Sequence, residues 1–82
     1  MIAIENVEAV RVLRLSHGRA NALDLELVEA LAREIKQAEA DGAGAVVLTS
    51  AGHIFCAGVD LFRVVDGGPD YVRRFLPAFA EL

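Results

Sequence analysis

The sequence predicts an α/β protein in which a β-hairpin precedes a β-α-β unit and a last helix. Two short runs rich in Val, Ile and Leu come first and are close enough to pair as neighbouring strands. A stretch with apolar residues at helical spacing follows, and a continuous apolar run rich in β-branched residues comes after it. Strand, helix and strand in this order predict two parallel strands joined by a right-handed crossover.

The hairpin is expected between Ile2 and Leu15. Asn6 to Glu8 is the only plausible polar interruption between the two apolar runs, so we expect the turn there. It has neither Asn-Gly nor Asp-Gly, which leaves the pairing register open. Small and polar residues follow at positions 16–19, where the chain is expected to leave the sheet.

The first helix is predicted from Asp24 to Asp41. Asp24 is the expected N-cap, and Gly42 follows the last turn, where a left-handed residue often ends a helix. One apolar stripe recurs at intervals of three and four residues, formed by Leu27, Val28, Leu31, Ile35 and Ala38. This stripe is expected to face the core.

The second half of the chain predicts a strand, a glycine-containing loop and a helix. Ala45 to Thr49 is continuously apolar, which suits a strand covered on both faces. Ser50 to Asp60 reads SAGHIFCAGVD, and its glycines would let backbone approach a ligand closely. Pro69 is expected to start the last helix and Pro77 to kink or shorten it.

Composition points to partners that cover apolar surface. Of the 82 residues, 55% are hydrophobic and the mean hydropathy is +0.43, which is more apolar surface than so short a chain can bury alone. We expect the rest of a longer chain or other subunits to cover the excess. We see no boundary that would divide residues 1–82 into two domains.

Charge and cysteine content exclude several classes of function. The net charge of −4 and the scattered basic residues argue against nucleic-acid binding. There is no apolar run of about 18 residues and no signal-like N-terminus, so we expect a cytoplasmic protein without membrane contact. Cys56 is the single cysteine and has no metal-ligand spacing with His17 or His53, so we expect no metal site.

Two segments carry a resemblance to a known family. Arg19 to Asp24 reads RANALD, and Ala45 to Leu61 reads AVVLTSAGHIFCAGVDL. In order and spacing they resemble the first-helix loop and the strand-to-glycine-turn segment of crotonases, the enoyl-CoA hydratase/isomerase superfamily. The resemblance covers nearly all of the chain. It implies that residues 1–82 form the N-terminal part of a single crotonase-like domain, whose fold is a ββα spiral.

The resemblance also implies an oxyanion hole. Thioester chemistry places negative charge on the carbonyl oxygen, and preorganised N–H donors stabilise it by roughly 3 to 4 kcal/mol each where deletion has been measured in other enzymes. The backbone N–H of Val59 matches one such donor in the family, and Gly58 would give the turn that aims it. Both positions are catalytic candidates by resemblance.

Coenzyme A contacts are implied beside it. Backbone atoms of Ala20 and Ala57 match family positions that hold adenine and pantetheine, and Arg19 lies where a basic residue often meets the CoA phosphates. Asp60 belongs to the same group of candidate binding residues. Its carboxylate either orients the oxyanion loop or caps a helical turn, and we favour the cap. Coenzyme A would enter as part of an acyl-CoA substrate, with no tightly bound cofactor.

The leading hypothesis is an enoyl-CoA hydratase or isomerase of fatty acid metabolism. The family uses two glutamates as acid and base and a second N–H donor, none of which matches a residue here, so we expect the chain alone to be inactive. A trimer, a hexamer or a complementary C-terminal chain would be its partner. The alternative is a non-catalytic CoA-binding or subunit-interaction module. A nucleotide-binding β-α-β domain ranks last, because there is no G-x-G-x-x-G and no P-loop lysine.

Three further side chains are interpreted as structural. Cys56 lies three residues from His53, but no third orienting group is evident, so we interpret the cysteine as a packing residue. His17 and His53 are interpreted as loop residues rather than ligands or acid-base catalysts.

Overall fold

The computed structural model describes all 82 residues as one three-stranded sheet with two helices. The elements are β1 (Ile2–Val7), β2 (Val10–Leu15), α1 (Leu25–Ala40), β3 (Ala45–Ser50) and α2 (Leu61–Glu81). The strand order is β1-β2-β3, with β1 antiparallel to β2 and β2 parallel to β3. The predicted α/β class, the hairpin and the strand-helix-strand unit are confirmed.

A two-residue turn, Glu8 and Ala9, closes the hairpin. It is tight because Val7 pairs with Val10, and it holds Glu8 at a φ of +55°. Asn6 belongs to β1 rather than to the turn, and its Oδ1 accepts a hydrogen bond of 2.6 Å from Nε of Arg11 on the opposite strand. This cross-strand bond explains why a polar residue is tolerated within the strand.

Helix α1 begins and ends where the sequence predicts. Oδ1 of Asp24 accepts a hydrogen bond of 2.9 Å from the N–H of Leu27, and Gly42 takes a φ of +78° just past the end. The helix packs on the sheet through one core cluster that joins Leu15 of β2 to Leu27 and Leu31 of α1. Helical periodicity therefore identified the core face correctly.

Strand β3 is less covered than the sequence predicts. Val47 and Leu48 are 45% and 40% exposed, although their run of apolar residues is typical of a strand buried on both faces. The reason lies in the topology. β3 is an edge strand of the sheet, and the core of the chain lies over Leu13 and Leu15 of β2. The expected burial of β3 is wrong for this chain.

Helix α2 is longer than predicted and is divided in two. Its backbone breaks at Gly68 (φ +66°, ψ −160°), so Pro69 starts only the second section. Glycine tolerates this conformation, and proline fixes the φ that the next turn needs. Pro77 neither breaks the backbone nor ends the helix, which continues to Glu81, so the predicted kink is in the wrong place.

The second section of α2 packs on the first turn of α1. Phe75 is buried against Leu25 and Val28, and its ring stacks at 5.8 Å from that of Tyr71. The Tyr71 hydroxyl oxygen accepts a hydrogen bond of 2.8 Å from the N–H of Leu25, one of the unpaired donors of a helix start. No helix combines the length and the apolar character that crossing a membrane requires.

Candidate functional site

Two loops meet at one end of the fold and are joined by backbone hydrogen bonds. We call residues 16–24 the first loop and residues 51–60 the second loop. The N–H of Ala57 donates to the carbonyl of Ala20 at 2.9 Å, and the N–H of Leu23 donates to the carbonyl of Gly58 at 2.7 Å. The N–H of Asp60 donates in turn to the carbonyl of Leu23 at 2.8 Å. The two loops therefore form one unit.

The geometry of this junction leaves the N–H of Val59 without an acceptor. Val59 and Leu23 form a parallel bridge in which the residues on either side of Val59 make both hydrogen bonds to Leu23. In such a bridge the central residue's own N–H points to the opposite side. The neighbouring N–H groups of Ala57, Gly58 and Asp60 all have partners. Val59 therefore presents a donor that a ligand can take.

Gly58 is required by its backbone conformation rather than by lack of space. Its φ is +95°, which L side chains rarely adopt, and a Cβ placed there would meet no atom within 4 Å. Helix α2 begins just beyond it, and Oδ1 of Asp60 caps that helix by accepting from the N–H of Arg63 at 3.2 Å. The partial positive charge of the helix start therefore lies close to the Val59 N–H.

The four residues predicted to bind the coenzyme line one cavity of about 310 Å³. They are Arg19 and Ala20 from the first loop and Ala57 and Asp60 from the second. Gly58 and Val59 lie between Ala57 and Asp60 in the chain but are not among the lining residues. The structure thus brings the predicted binding residues together and places the predicted oxyanion pair directly beside them.

Asn21 is the main residue of the site whose role the sequence did not predict. The residue is only 4% exposed. The Oδ1 atom accepts from the N–H of His17 at 2.8 Å, and Nδ2 donates to Oγ of Ser50 and to the carbonyl of Phe55, both at 2.9 Å. The signal available in the sequence was the residue type, since Asn is among the few residues that adopt left-handed conformations readily, and the φ of Asn21 is +52°.

His17 makes a polar contact to the cap of α1. Its Nε2 lies 2.7 Å from Oδ2 of Asp24, which is 10% exposed at the side chain and is also 3.7 Å from Nη1 of Arg63. Burial by itself would raise the pKa of Asp24, but the hydrogen bonds from His17 and from the Leu27 N–H, together with the nearby positive charges, outweigh it and lower the pKa. An ionised carboxylate has no proton to give, so Nε2 of His17 is the donor.

A second cavity of about 320 Å³ lies against the first loop. It is lined by the loop between Leu15 and Asn21 and by residues 50–54, including His53. His17 and Arg19 line both cavities, so the first loop contributes to each. His17 and His53 lie in loops, as the sequence predicts, but His17 is engaged by Asp24.

Comparison with known proteins agrees with the fold. The family model described as enoyl-CoA hydratase/isomerase matches residues 5–81. Probable enoyl-CoA hydratases named echA6 from Mycobacterium bovis and Mycobacterium tuberculosis are each 47% identical over 62 residues. These alignments cover 74% of this chain and 26% of each relative, so the chain spans about a quarter of their length.

Solved structures give the same result. The crystal structure of the probable enoyl-CoA hydratase EchA3 of M. tuberculosis has a TM-score of 0.83 at 27% identity, covering 94% of this chain and 33% of that one. AtuE of Pseudomonas aeruginosa has a TM-score of 0.82 at 27% identity, covering 98% of this chain and 33% of that one. The architecture is therefore that of the N-terminal part of the crotonase fold, and the chain belongs to the enoyl-CoA hydratase/isomerase family.

Proposed function

We propose that this chain is the thioester-binding part of an enoyl-CoA hydratase or isomerase. In this proposal an acyl-CoA binds across the two loops, with its thioester carbonyl oxygen at the N–H of Val59. The observation that carries it is the unpaired Val59 N–H beside the cavity lined by Arg19, Ala20 and Ala57. Coenzyme A enters as part of the substrate, and the proposal requires no tightly bound cofactor.

The chemistry follows from where charge develops. Addition of water to an enoyl thioester, or movement of its double bond, passes through an enolate whose charge rests on the carbonyl oxygen. A backbone N–H held in place before the substrate arrives stabilises that charge without reorganisation, and the start of α2 adds a favourable partial charge. Gly58 maintains the turn on which this donor depends.

Arg19 is the proposed phosphate contact because it lines the cavity and its guanidinium has no ion-pair partner in the chain. Nη2 of Arg63, the other arginine beside the first loop, is held at 2.9 Å from Glu26. The Arg19 side chain is exposed and makes no hydrogen bond or ion pair within the chain. A guanidinium fits a phosphate with two parallel hydrogen bonds, so Arg19 suits the phosphates of coenzyme A.

Backbone groups of the two alanines would hold the adenine and pantetheine portions. The Ala57 N–H and the Ala20 carbonyl bond to each other at 2.9 Å, so the groups left for a ligand are the Ala57 carbonyl and the Ala20 N–H. A carbonyl can accept from the exocyclic amino group of adenine. The contribution of these residues is therefore through the main chain, which is why small side chains suit both positions.

The proposal assigns no general acid or base to these 82 residues. The two carboxylates at the cavity are already engaged, since Asp60 caps α2 and Asp24 caps α1 while bonding His17. We therefore propose that the chain alone binds acyl-CoA without turnover. The acid and base glutamates would come from a complementary C-terminal chain. The expected oligomeric form is a homotrimer or a hexamer.

Titration of the purified chain with crotonyl-CoA and with coenzyme A tests this function. Crotonyl-CoA should bind more tightly than coenzyme A, and the Val59 amide should give one of the largest shifts in a nuclear magnetic resonance spectrum. Arg19→Met should weaken both ligands to the same degree, because it acts on the shared phosphates. Arg74→Met, an exposed arginine of α2, is the matched control. Absence of binding at millimolar concentration would refute the proposal.

The exposed apolar surface of α2 favours one alternative, a subunit-interaction module without catalysis. Leu61, Phe62 and Val65 are 69%, 84% and 78% exposed, which is unusual for large apolar side chains on one helix section. Sedimentation velocity separates the possibilities. A stable oligomer of the 8.8 kDa chain that fails to bind either ligand would support the interaction module over thioester binding.

A further inference from the structure

The carboxamide of Asn21 connects three parts of the site. Through Oδ1 it holds the backbone of the first loop at His17, and through Nδ2 it holds the end of β3 at Ser50 and the second loop at Phe55. Both Nδ2 protons are used, so the donor capacity of the side chain is filled. At 4% exposure, these bonds have little competition from water.

The main chain around Asn21 adds two more links to the second loop. The Asn21 carbonyl accepts from Sγ of Cys56 at 3.3 Å, and the carbonyl of the preceding Ala20 accepts from the Ala57 N–H at 2.9 Å. Ala20 and Asn21 both take left-handed φ values, +60° and +52°. Such conformations persist in non-glycine residues only where the surroundings hold them, and here the Asn21 side chain supplies three hydrogen bonds.

We infer that Asn21 is a positioning residue that aims the Val59 N–H at the ligand. The inference rests on the proposed thioester-binding function. The segment before Val59 is fixed at the Phe55 carbonyl by Asn21, at the Ala57 N–H by Ala20 and at the Gly58 carbonyl by Leu23. Loss of the Asn21 donors breaks the bond to the Phe55 carbonyl and weakens the support of the Ala57–Ala20 bond. The direction of the Val59 N–H is then no longer fixed.

The competing interpretation is that Asn21 only stabilises the fold. Asn21→Asp separates the two, because aspartate keeps the size, the acceptor for the His17 N–H and the tolerance of left-handed φ, but has no Nδ2 donors when ionised. Asn6→Asp is the matched control, since Asn6 lies in β1 and its side chain hydrogen-bonds only to Arg11. Asn21→Gly is a second variant, because glycine tolerates the left-handed φ and has no side chain to make any of the three hydrogen bonds.

The experiment uses the whole 82-residue chain, first without ligand and then in titrations with crotonyl-CoA and coenzyme A. In Asn21→Asp the amide signals of Ala57 and Val59 should move, and the hydrogen-exchange protection of the Ala57 amide should fall about tenfold or more, with α1 unchanged. The preference of the wild-type chain for crotonyl-CoA, expected to be about two- to tenfold for one hydrogen bond, should fall to about one. The affinity for coenzyme A is the reference for this ratio, and every value should stay the same in Asn6→Asp.

Three results would contradict the positioning role of Asn21 or the function on which it rests. Unchanged Ala57 and Val59 amides in a folded Asn21→Asp chain, or a preference equal to that of the wild type, overturns the inference. If Asn21→Asp does not fold, Asn21→Gly takes its place, and a folded Asn21→Gly chain without any change at Ala57 or Val59 overturns the inference equally. If the wild-type chain shows no preference for the thioester, the proposed function fails, while the ligand-free spectra still decide whether Asn21 positions the loop.

Discussion

Replacement of Gly58 by alanine isolates the conformational cost of the turn before Val59. The φ of +95° is unfavourable for alanine, and a Cβ at this position meets no atom within 4 Å, so packing does not contribute. Gly52 is the matched control in the same loop. It also has no atom within 4 Å of an added Cβ, but its φ lies outside the left-handed region. The pair therefore differs chiefly in backbone conformation.

The expected magnitudes follow from this difference. A residue forced into a sparsely populated conformation costs about 1 to 3 kcal/mol, and the smaller entropy of the unfolded alanine chain returns about 0.4 to 1 kcal/mol. The two ranges leave a net loss between about 0 and 2.6 kcal/mol, so Gly58→Ala should lower the free energy of unfolding by about 1 to 2 kcal/mol, the middle of that range. Gly52→Ala should be neutral or stabilise the chain by up to about 1 kcal/mol.

Urea unfolding followed by far-ultraviolet circular dichroism measures both variants. With a denaturant slope of about 1 kcal/mol per molar urea for a small domain, the Gly58→Ala midpoint should fall by about 1 to 2 M while the slope stays unchanged. Equal midpoints for the two variants would mean that the Gly58 turn is not held at a positive φ in solution. The proposed direction of the Val59 N–H would then be wrong, because that donor depends on this turn.

Three further changes have defined outcomes. Because the pKa of Asp24 is lowered in the folded state, its stabilising effect is present above about pH 4 and is lost as pH falls through the folded pKa. Asp24→Asn keeps a good N-cap but has no carboxylate to titrate. In urea titrations from pH 2.5 to 7, the free energy of unfolding of this variant should therefore depend less on pH than that of the wild type. Ala20→Gly relieves a φ of +60° and should change stability by less than about 1 kcal/mol in either direction, measured as a shift in thermal midpoint, whereas a larger loss would mean that the alanine methyl is itself required. Gly67→Ala should lower the thermal midpoint by several degrees, since an added Cβ would collide with Cβ and Cγ of Tyr71; an unchanged midpoint would contradict the described kink of α2.

Local patterns predicted the hairpin and α1 because their determinants are local. Each signal of α1 depends on residues only a few positions apart in the sequence. These signals are the apolar stripe, the cap at Asp24 and the glycine at position 42, and each occurs where the sequence predicts it. The exposure of β3 was not predictable in this way. An apolar run shows that a strand can be buried, but its actual burial depends on which elements lie beside it, and β3 lies at the edge of the sheet.

The start of α2 was missed for a related reason. Leu61, Phe62 and Val65 are apolar but exposed, so they do not form a stripe facing the core, and the glycine pair at positions 67 and 68 resembles an interruption. The structure continues through that pair with a kink at Gly68. The Asp60 cap, favoured from the sequence, correctly marks where the first section begins.

Family resemblance identified candidate site residues, which hydrophobic periodicity could not do. It indicated Gly58, Val59 and the two alanines, and the structure gathers the predicted binding residues around one cavity. It gave no role to the Asn21 side chain, because the bonds from Nδ2 reach residues 29 and 34 positions away in the sequence. Contacts across such separations become visible only once the two loops are placed side by side.

Different sets of buried residues stabilise the fold and fix the geometry of the site. The buried apolar side chains belong to β2, α1 and α2, whereas the two buried polar residues, Asn21 and Asp24, both lie in the first loop. The loops are held to each other mainly by hydrogen bonds, each worth about 0.5 to 1.5 kcal/mol net, rather than by a core of their own. Substitutions that break single loop bonds should therefore alter discrimination between thioester and coenzyme A before they unfold the chain. Substitution of Phe75, which is packed between the two helices, should lower the stability of the fold before it alters discrimination between the two ligands.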